Sequence, residues 1–236
     1  MARGRPDLDP PEGDTGRTEL FVSAPPANPK IYHITPVSNI PQIINDGELR
    51  SDALMAAIGG PPVAIGMSSI KARRMRLPVK CRPGTVVGEY VPFYFCPRSV
   101  MLYLIYRGNH RDLAYRGGQD PIVHLEADLG ASIAWANASG RDWSYSTSNA
   151  GSFYAQFGCD SAGLHRIDWA SVANTDNRNV DVKEGKQAEF LVKSSFPWVL
   201  IDRIGVRTQA TSVAVRAALR NAAHQPRLQI MPGWYF

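Results

Sequence analysis

The residues with the most chemistry to offer are Glu189, in Lys186-Gln187-Ala188-Glu189-Phe190-Leu191-Val192, and His33, in Tyr32-His33-Ile34-Thr35. A carboxylate opening an apolar strand can stabilise developing positive charge or take a proton, and a histidine at a strand end can orient a ligand. Each also has an ordinary explanation, as a surface-facing strand Glu and a buried His satisfied by its surroundings. Lys71-Ala72-Arg73-Arg74-Met75-Arg76 places four cations in six residues. Such a run suits a solvated face, or phosphate contacts through planar guanidinium donors. Asn39 and Gln42 lie three apart at a helix start, on one face, where their amides can meet a ligand beside His33. Helix capping by Asn39 explains its position equally well. Tyr90, Phe93, Tyr94, Phe95, Tyr103 and Tyr106 are mostly core material, with one or two suited to stacking on a planar ring. Ser68-Ser69-Ile70-Lys71 matches the Ser-x-x-Lys of penicillin-binding enzymes by chance, since no Lys-Thr-Gly accompanies it.

Short elements must position these groups. A strand over 30–35 leads to a helix over 39–46, with Ile40, Ile43 and Ile44 on one face and Gly47 where a left-handed C-terminal residue belongs. Gly59-Gly60-Pro61-Pro62 breaks the chain, and 69–76 is a basic helix or turn ended by Pro78. Strands are expected over 85–91 and 93–95, with Pro92 between them marking an edge or bulge. The segment 97–106 begins helical, 121–127 is a strand, and 152–157 has helical potential. A polar loop over 168–185, with Asn174-Thr175-Asp176-Asn177-Arg178-Asn179, precedes the Glu189 strand; long loops of this kind tend to be functional. Strands over 190–192 and 198–206, a helix over 212–223 and a last strand over 227–231 complete the chain. Strand pairs without crossover helices argue for an α+β fold. Neither Gly-x-Gly-x-x-Gly nor a Walker loop is present, so a nucleotide would have to be held another way.

Composition bounds the rest. The 236 residues, 44% hydrophobic, suffice for a single domain with one sizeable core. A net charge of +5 and a pI near 9.2 favour an anionic partner. Cys81, Cys96 and Cys159 form no Cys-x-x-Cys pair, which points away from disulfides and zinc and toward a reducing cytoplasm. Residues 1–29, with six prolines and no long apolar run, are expected to be a disordered lead-in rather than a signal peptide. No apolar stretch has the length of a membrane span. The folded domain is expected over 30–236.

The order and spacing of further motifs carry a resemblance. Tyr32-His33-Ile34-Thr35 with Asn39-Ile40-Pro41, Gly47-Glu48-Leu49, Ile70-Lys71-Ala72-Arg73-Arg74, and Tyr90-Val91-Pro92-Phe93-Tyr94-Phe95 with Met101-Leu102-Tyr103 resemble the DarT family of DNA ADP-ribosyltransferase toxins. Gln119-Asp120-Pro121-Ile122-Val123-His124-Leu125, Asn174-Thr175-Asp176 and Ala188-Glu189-Phe190-Leu191-Val192 continue the match. Pro36 and Ile40 depart from the usual family residues.

The resemblance implies a split antiparallel β-sheet core with surrounding helices. It also implies transfer of ADP-ribose from NAD+ to a base of single-stranded DNA, thymine rather than guanine, with release of nicotinamide. Glu189 and Arg74 would be catalytic, Arg74 being chosen over its neighbour Arg73. His33, Ile34, Thr35, Asn39, Gln42, Gly47, Leu49, Lys71, Arg73 and Tyr94 would bind NAD+. Tyr154, Asn174, Thr175 and Arg178, within a segment over about 148–187, would bind DNA. No metal is implied, and the protein would be a monomer opposed by an antitoxin carrying an ADP-ribosyl hydrolase. The residues alone also admit a non-catalytic single-strand-binding module, or an NAD-dependent transferase acting on RNA or protein.

Overall fold

Short β-branched and aromatic runs, punctuated by Gly, Pro and capping residues, set the elements. The computed structural model describes residues 24–175 and 179–236. The expectation of a lead-in over 1–29 falls largely on residues 1–23, outside the described residues. Strand β1 (Lys30–Pro36) passes through a 3-10 turn into helix α1 (Ile40–Asp46), which ends at Gly47 with φ 69°. That left-handed conformation is cheap only for a residue without a Cβ. Strand β2 (Glu48–Arg50) and helices α2 (Asp52–Ala57) and α3 (Ser68–Arg74) follow. The middle of the chain holds β3 (Tyr90–Tyr94), α4 (Val100–Arg107), β4 (Ile122–Asp128), α5 (Leu129–Ala138), β5 (Trp143–Asn149) and β6 (Phe157–Gly158). The remainder is α6 (Trp169–Ala173), α7 (Val180–Gly185), β7 (Ala188–Lys193), β8 (Ser195–Pro197), β9 (Arg203–Val206), α8 (Gln209–Leu219) and β10 (Arg227–Ile230).

Eight strands form one sheet in the order β10-β9-β4-β1-β3-β7-β5-β6, antiparallel except where β10 joins β9. Strand β1 pairs with β4 from Lys30↔Asp128 to Pro36↔Ile122, but with β3 at Tyr32↔Tyr94 alone. Strand β3 runs along β7 from Tyr90↔Lys193 to Tyr94↔Glu189. The sheet is therefore two antiparallel halves joined at one residue pair, the α+β split core expected.

Pro92 belongs to a central strand, not the edge or bulge its ring implied. Its carbonyl accepts from the His33 ring, so its peptide faces the split between β1 and β3. A ladder donor is unnecessary there, and proline is tolerated.

Alternation along the strands sorts the core. Ile31 on β1, Val123, Leu125 and Ala127 on β4, Val91 and Phe93 on β3 and Phe190 and Val192 on β7 pack in one cluster with Ile40, Ala136, Val215 and Leu219 from α1, α5 and α8. The opposite parity puts Ile34 and Ile122 with Leu102 and Ile105 of α4. Glu189 and Tyr94 share the parity opposite to Phe190 and Phe93, so the strands that build the core also turn polar groups into the split.

Four expectations are corrected. The segment 152–157 is not helical: Gly151 and Ser152 bond back to Asn149, Thr147 pairs with Gln156, and the chain forms a turn that returns as β6. Pairing of β5 with β6 outweighs local helix propensity there. The polar loop over 168–185 contains α6 and α7, capped by the side chains of Asp168 and Asn179. The strand over 85–91 is replaced by an isolated bridge at Val86 and a 3-10 turn over Val87–Glu89, so β3 begins at Tyr90. In 198–206, Trp198–Leu200 is a 3-10 turn that directly follows β8, and β9 starts at Arg203.

Candidate active site

Glu189 is the second residue of β7 and is only 3% exposed. Its Oε1 accepts from Arg74 Nη1 at 3.1 Å and from the Ala150 backbone N–H at 3.1 Å, and its Oε2 accepts from the same Nη1 at 2.9 Å. The Ala150 donor reaches it because β5 slips register against β7 between Ser146 and Asn149. Ser146 Oγ accepts the Glu189 backbone N–H at 3.2 Å and donates to the Ser148 carbonyl at 2.6 Å. A carboxylate oxygen accepts about two bonds, so Oε1 is filled and Oε2 keeps an open position.

Arg74 ends α3, buried, while its neighbour Arg73 is exposed. Burial acts against the Arg74 charge, but Glu189 offsets it and the net direction is upward, so the guanidinium is firmly charged. Its Nη2 is buried without a hydrogen-bond partner. An unpaired buried guanidinium donor is costly, which marks it as a ligand-seeking group. Arg73 Nη2 instead lies near Gly151 and lines no part of the cavity.

The Arg74–Glu189 pair lies in a cavity along the split. His33, Ile34 and Thr35 line it from β1, and Tyr94 from β3. The His33 Nδ1–H donates to the Pro92 carbonyl at 2.9 Å, and burial pushes its pKa down. The ring is therefore neutral, with Nε2 a bare acceptor. Burial first, and the Glu189 charge second, push the Tyr94 phenol up, so it keeps its proton.

Gln42 and Leu49 line the cavity, and so does Lys71, whose Nζ bonds Asp52 Oδ1 at 2.8 Å. Gly47 does not; it ends α1, and its carbonyl accepts the Trp198 N–H. Asn39 lines the cavity but spends its amide elsewhere. Its Nδ2 donates to Thr35 Oγ1 at 3.0 Å and the Val63 carbonyl at 2.8 Å, and its Oδ1 accepts the Val63 N–H at 3.0 Å. It makes no side-chain cap to α1. Asn39 thus clips the loop that contributes Pro61, Val63 and Ile65 to the cavity wall.

Of the expected DNA residues, Tyr154 is 91% exposed beside the exposed Phe153, on the turn between β5 and β6. Asn174 and Thr175 are exposed at the end of α6, and Arg178 lies outside the described residues. Sequence reasoning missed Asp52, Asn149, Ala150 and Gln187. Asn149 Nδ2 bonds Gln187 Oε1 at 3.0 Å, and both line the cavity beside Glu189. The position of Gln187, two before Glu189 at the turn that opens β7, was the available signal. Among the described residues no group of three His, Cys, Asp or Glu is placed to hold a metal, and no helix is long and apolar enough to cross a membrane.

A split antiparallel sheet with a buried Arg–Glu pair in its cleft defines a class, the NAD-dependent ADP-ribosyltransferases. The family model described as "DarT: ssDNA thymidine ADP-ribosyltransferase" matches residues 32–236, and the chain belongs to the DarT family, the toxin family its motifs resemble. A DNA ADP-ribosyl transferase from Thermus sp. (strain 2.9) is 37% identical over 211 residues, covering 87% of this chain and 95% of that protein. The structure of Thermus sp. 2.9 DarT in complex with ADP-ribosylated ssDNA matches with a TM-score of 0.80 at 35% identity, covering 89% of this chain and 98% of that one. The same protein in complex with NAD+ matches with a TM-score of 0.74 at 33% identity, covering 89% and 99%. The chain is thus an NAD-dependent DNA ADP-ribosyltransferase that uses NAD+ as co-substrate and single-stranded DNA as acceptor.

Proposed function

We propose that Glu189 and Arg74 carry the transfer of ADP-ribose from NAD+ to a thymine of single-stranded DNA, over one domain spanning 30–236. Nicotinamide leaves NAD+ as a neutral base from a cationic linkage, so the protein must chiefly stabilise an oxocarbenium-like ribose and place the acceptor opposite the leaving ring. The open position of Glu189 Oε2 suits a bond from the ribose 2-hydroxyl, with the carboxylate charge beside the reacting carbon. His33 Nε2 accepts a second NAD+ hydroxyl, and the Tyr94 ring flanks the nicotinamide. Ile34, Thr35, Gln42, Leu49 and Lys71 complete the pocket, with Asn39 holding its loop.

The acceptor nitrogen must lose a proton as it attacks, and a thymine imide is a far weaker acid than a carboxylic acid. Glu189 Oε2 gives up the ribose hydroxyl as nicotinamide departs and takes that proton, while Arg74 Nη2 donates to a thymine carbonyl and stabilises the developing anion. The base must be out of a duplex to reach the cavity, which makes a single strand the natural substrate. Tyr154 offers a stacking surface for a neighbouring base, and the segment with Asn174, Thr175 and Arg178 contacts the strand. We place the protein in the cytoplasm as a monomeric toxin whose antitoxin carries an ADP-ribosyl hydrolase that removes the mark.

The observation that carries this reading is the buried Arg74–Glu189 pair with one acceptor position and one donor unspent. The test is incubation with NAD+ and single-stranded DNA with and without thymine, RNA and protein, read by mass spectrometry. One ADP-ribose on thymine-containing DNA alone is expected. Addition only to strands lacking thymine would move the acceptor to another base, and addition only to RNA or protein would overturn the DNA reading.

A further inference from the structure

Lys186 is 2% exposed, although lysine is among the residues proteins hide least often. Its Nζ donates to the Asn174 carbonyl at 2.7 Å and the Val172 carbonyl at 3.4 Å, beside the buried Cys96 thiol. An ammonium leaves water only where strong acceptors replace it, and the last carbonyls of a helix are such acceptors. The charge is therefore used to close the segment between β6 and β7 onto itself.

The surrounding packing is equally close. Asp168 Oδ1 caps α6 through the Ser171 N–H at 2.9 Å, and Asp168 Oδ2 accepts the Ser171 hydroxyl at 2.6 Å. Gly185 faces Ser171 so closely that a Cβ on it would stand 2.6 Å from the serine Cβ. On the other side of Lys186, Gln187 bonds Asn149 and Glu189 enters the catalytic pair.

We infer that Lys186 is a positioning residue for the DNA acceptor, fixing the end of α6, and Asn174 and Thr175 with it, against the strand that bears Glu189. The inference rests on the proposed reading of Asn174 and Thr175 as DNA contacts. Lys186 does not line the NAD+ cavity, so its loss should act on one substrate and not the other.

The test is steady-state kinetics of Lys186→Met in the full chain, with NAD+ and single-stranded DNA varied in turn. A hydrogen bond from a charged donor predicts a rise in KM for DNA of about tenfold or more. KM for NAD+, and kcat at saturating DNA, should stay within about threefold of wild type. Lys186→Arg, which keeps the charge and donors, should recover part of the loss. An unchanged KM for DNA, or equal losses toward both substrates, would overturn the inference. If Lys186→Met does not fold, Lys186→Gln carries the same comparison. An Asn174→Ala/Thr175→Ala variant separates the two layers. If it leaves KM for DNA unchanged, the reading of the segment as a DNA contact fails; if it raises KM while Lys186→Met does not, the positioning role alone fails.

Discussion

Each half of the sheet carries one buried glutamate paired with an arginine, and the two pairs are built differently. Glu126 on β4 is 1% exposed and opposes Arg203 on β9 in register. Arg203 Nε reaches Glu126 Oε1 at 2.9 Å, Nη2 reaches Oε1 at 2.7 Å and Oε2 at 2.9 Å, Nη1 bonds Gln229 at 2.8 Å, and the guanidinium lies over Trp234. Every guanidinium nitrogen is engaged, the geometry expected of a pair whose work is structural. In the other half Arg74 reaches Glu189 through Nη1 alone, Nη2 has no partner, and the pair lies in a cavity. A buried carboxylate is common to both. What distinguishes the proposed catalytic pair is incomplete satisfaction.

Breaking each pair should therefore produce different losses. Glu189→Gln should lower kcat for DNA modification by about a thousandfold or more, because the lost charge acts on the transition state. Circular dichroism and thermal melting should show a folded protein. Glu126→Gln should do the reverse. It leaves Arg203 without its carboxylate and should cost about 3 kcal/mol of stability, at the low end for a buried pair since Arg203 is 23% exposed. Activity per folded molecule should be retained, as urea titration with parallel assays would show.

A buried histidine in the structural half adds a pH dependence to the same contrast. His124, on β4, bonds the Pro97 carbonyl at 2.9 Å between Trp234 and Tyr235, and burial lowers its pKa to about 4. The unfolded state, with a pKa near 6.5, takes up the proton first. Stability is thus full above about pH 6.5 and lost as pH falls toward 4, by about 3 kcal/mol from this group. His124→Gln should flatten that slope, measured by denaturant titration across pH.

The smallest effect belongs to the clip on the cavity loop. Asn39→Ala removes both bonds to Val63, a loss of about 1–2 kcal/mol, and should raise KM for NAD+ by roughly tenfold with kcat little changed.

Glu189 and His33 were legible because each sits in a local apolar strand pattern that survives without its neighbours. That Arg74 rather than Arg73 turns inward was also encoded. Met67, Ile70 and Leu77 recur at helical spacing through and beside α3, and Arg74 falls in step with them while Arg73 does not. The amide of Asn39 was not legible, because its partner Val63 is fixed only when the loop folds over β1. The same holds for the Ala150 N–H, which reaches Glu189 through a register slip, a property of the β5–β7 pairing rather than of either strand. The helical potential over 152–157 was likewise overridden, because the chain turns there to pair β6 with β5.

The most direct test compares Glu189→Gln with Glu126→Gln at equal folded concentration, following nicotinamide release and ADP-ribose addition to one thymine-containing oligonucleotide in a single turnover. Glu126→Gln should react at close to the wild-type rate and Glu189→Gln should leave the oligonucleotide almost unmodified. Near wild-type addition by Glu189→Gln, or equal loss in both variants, would contradict the assignment of the catalytic pair.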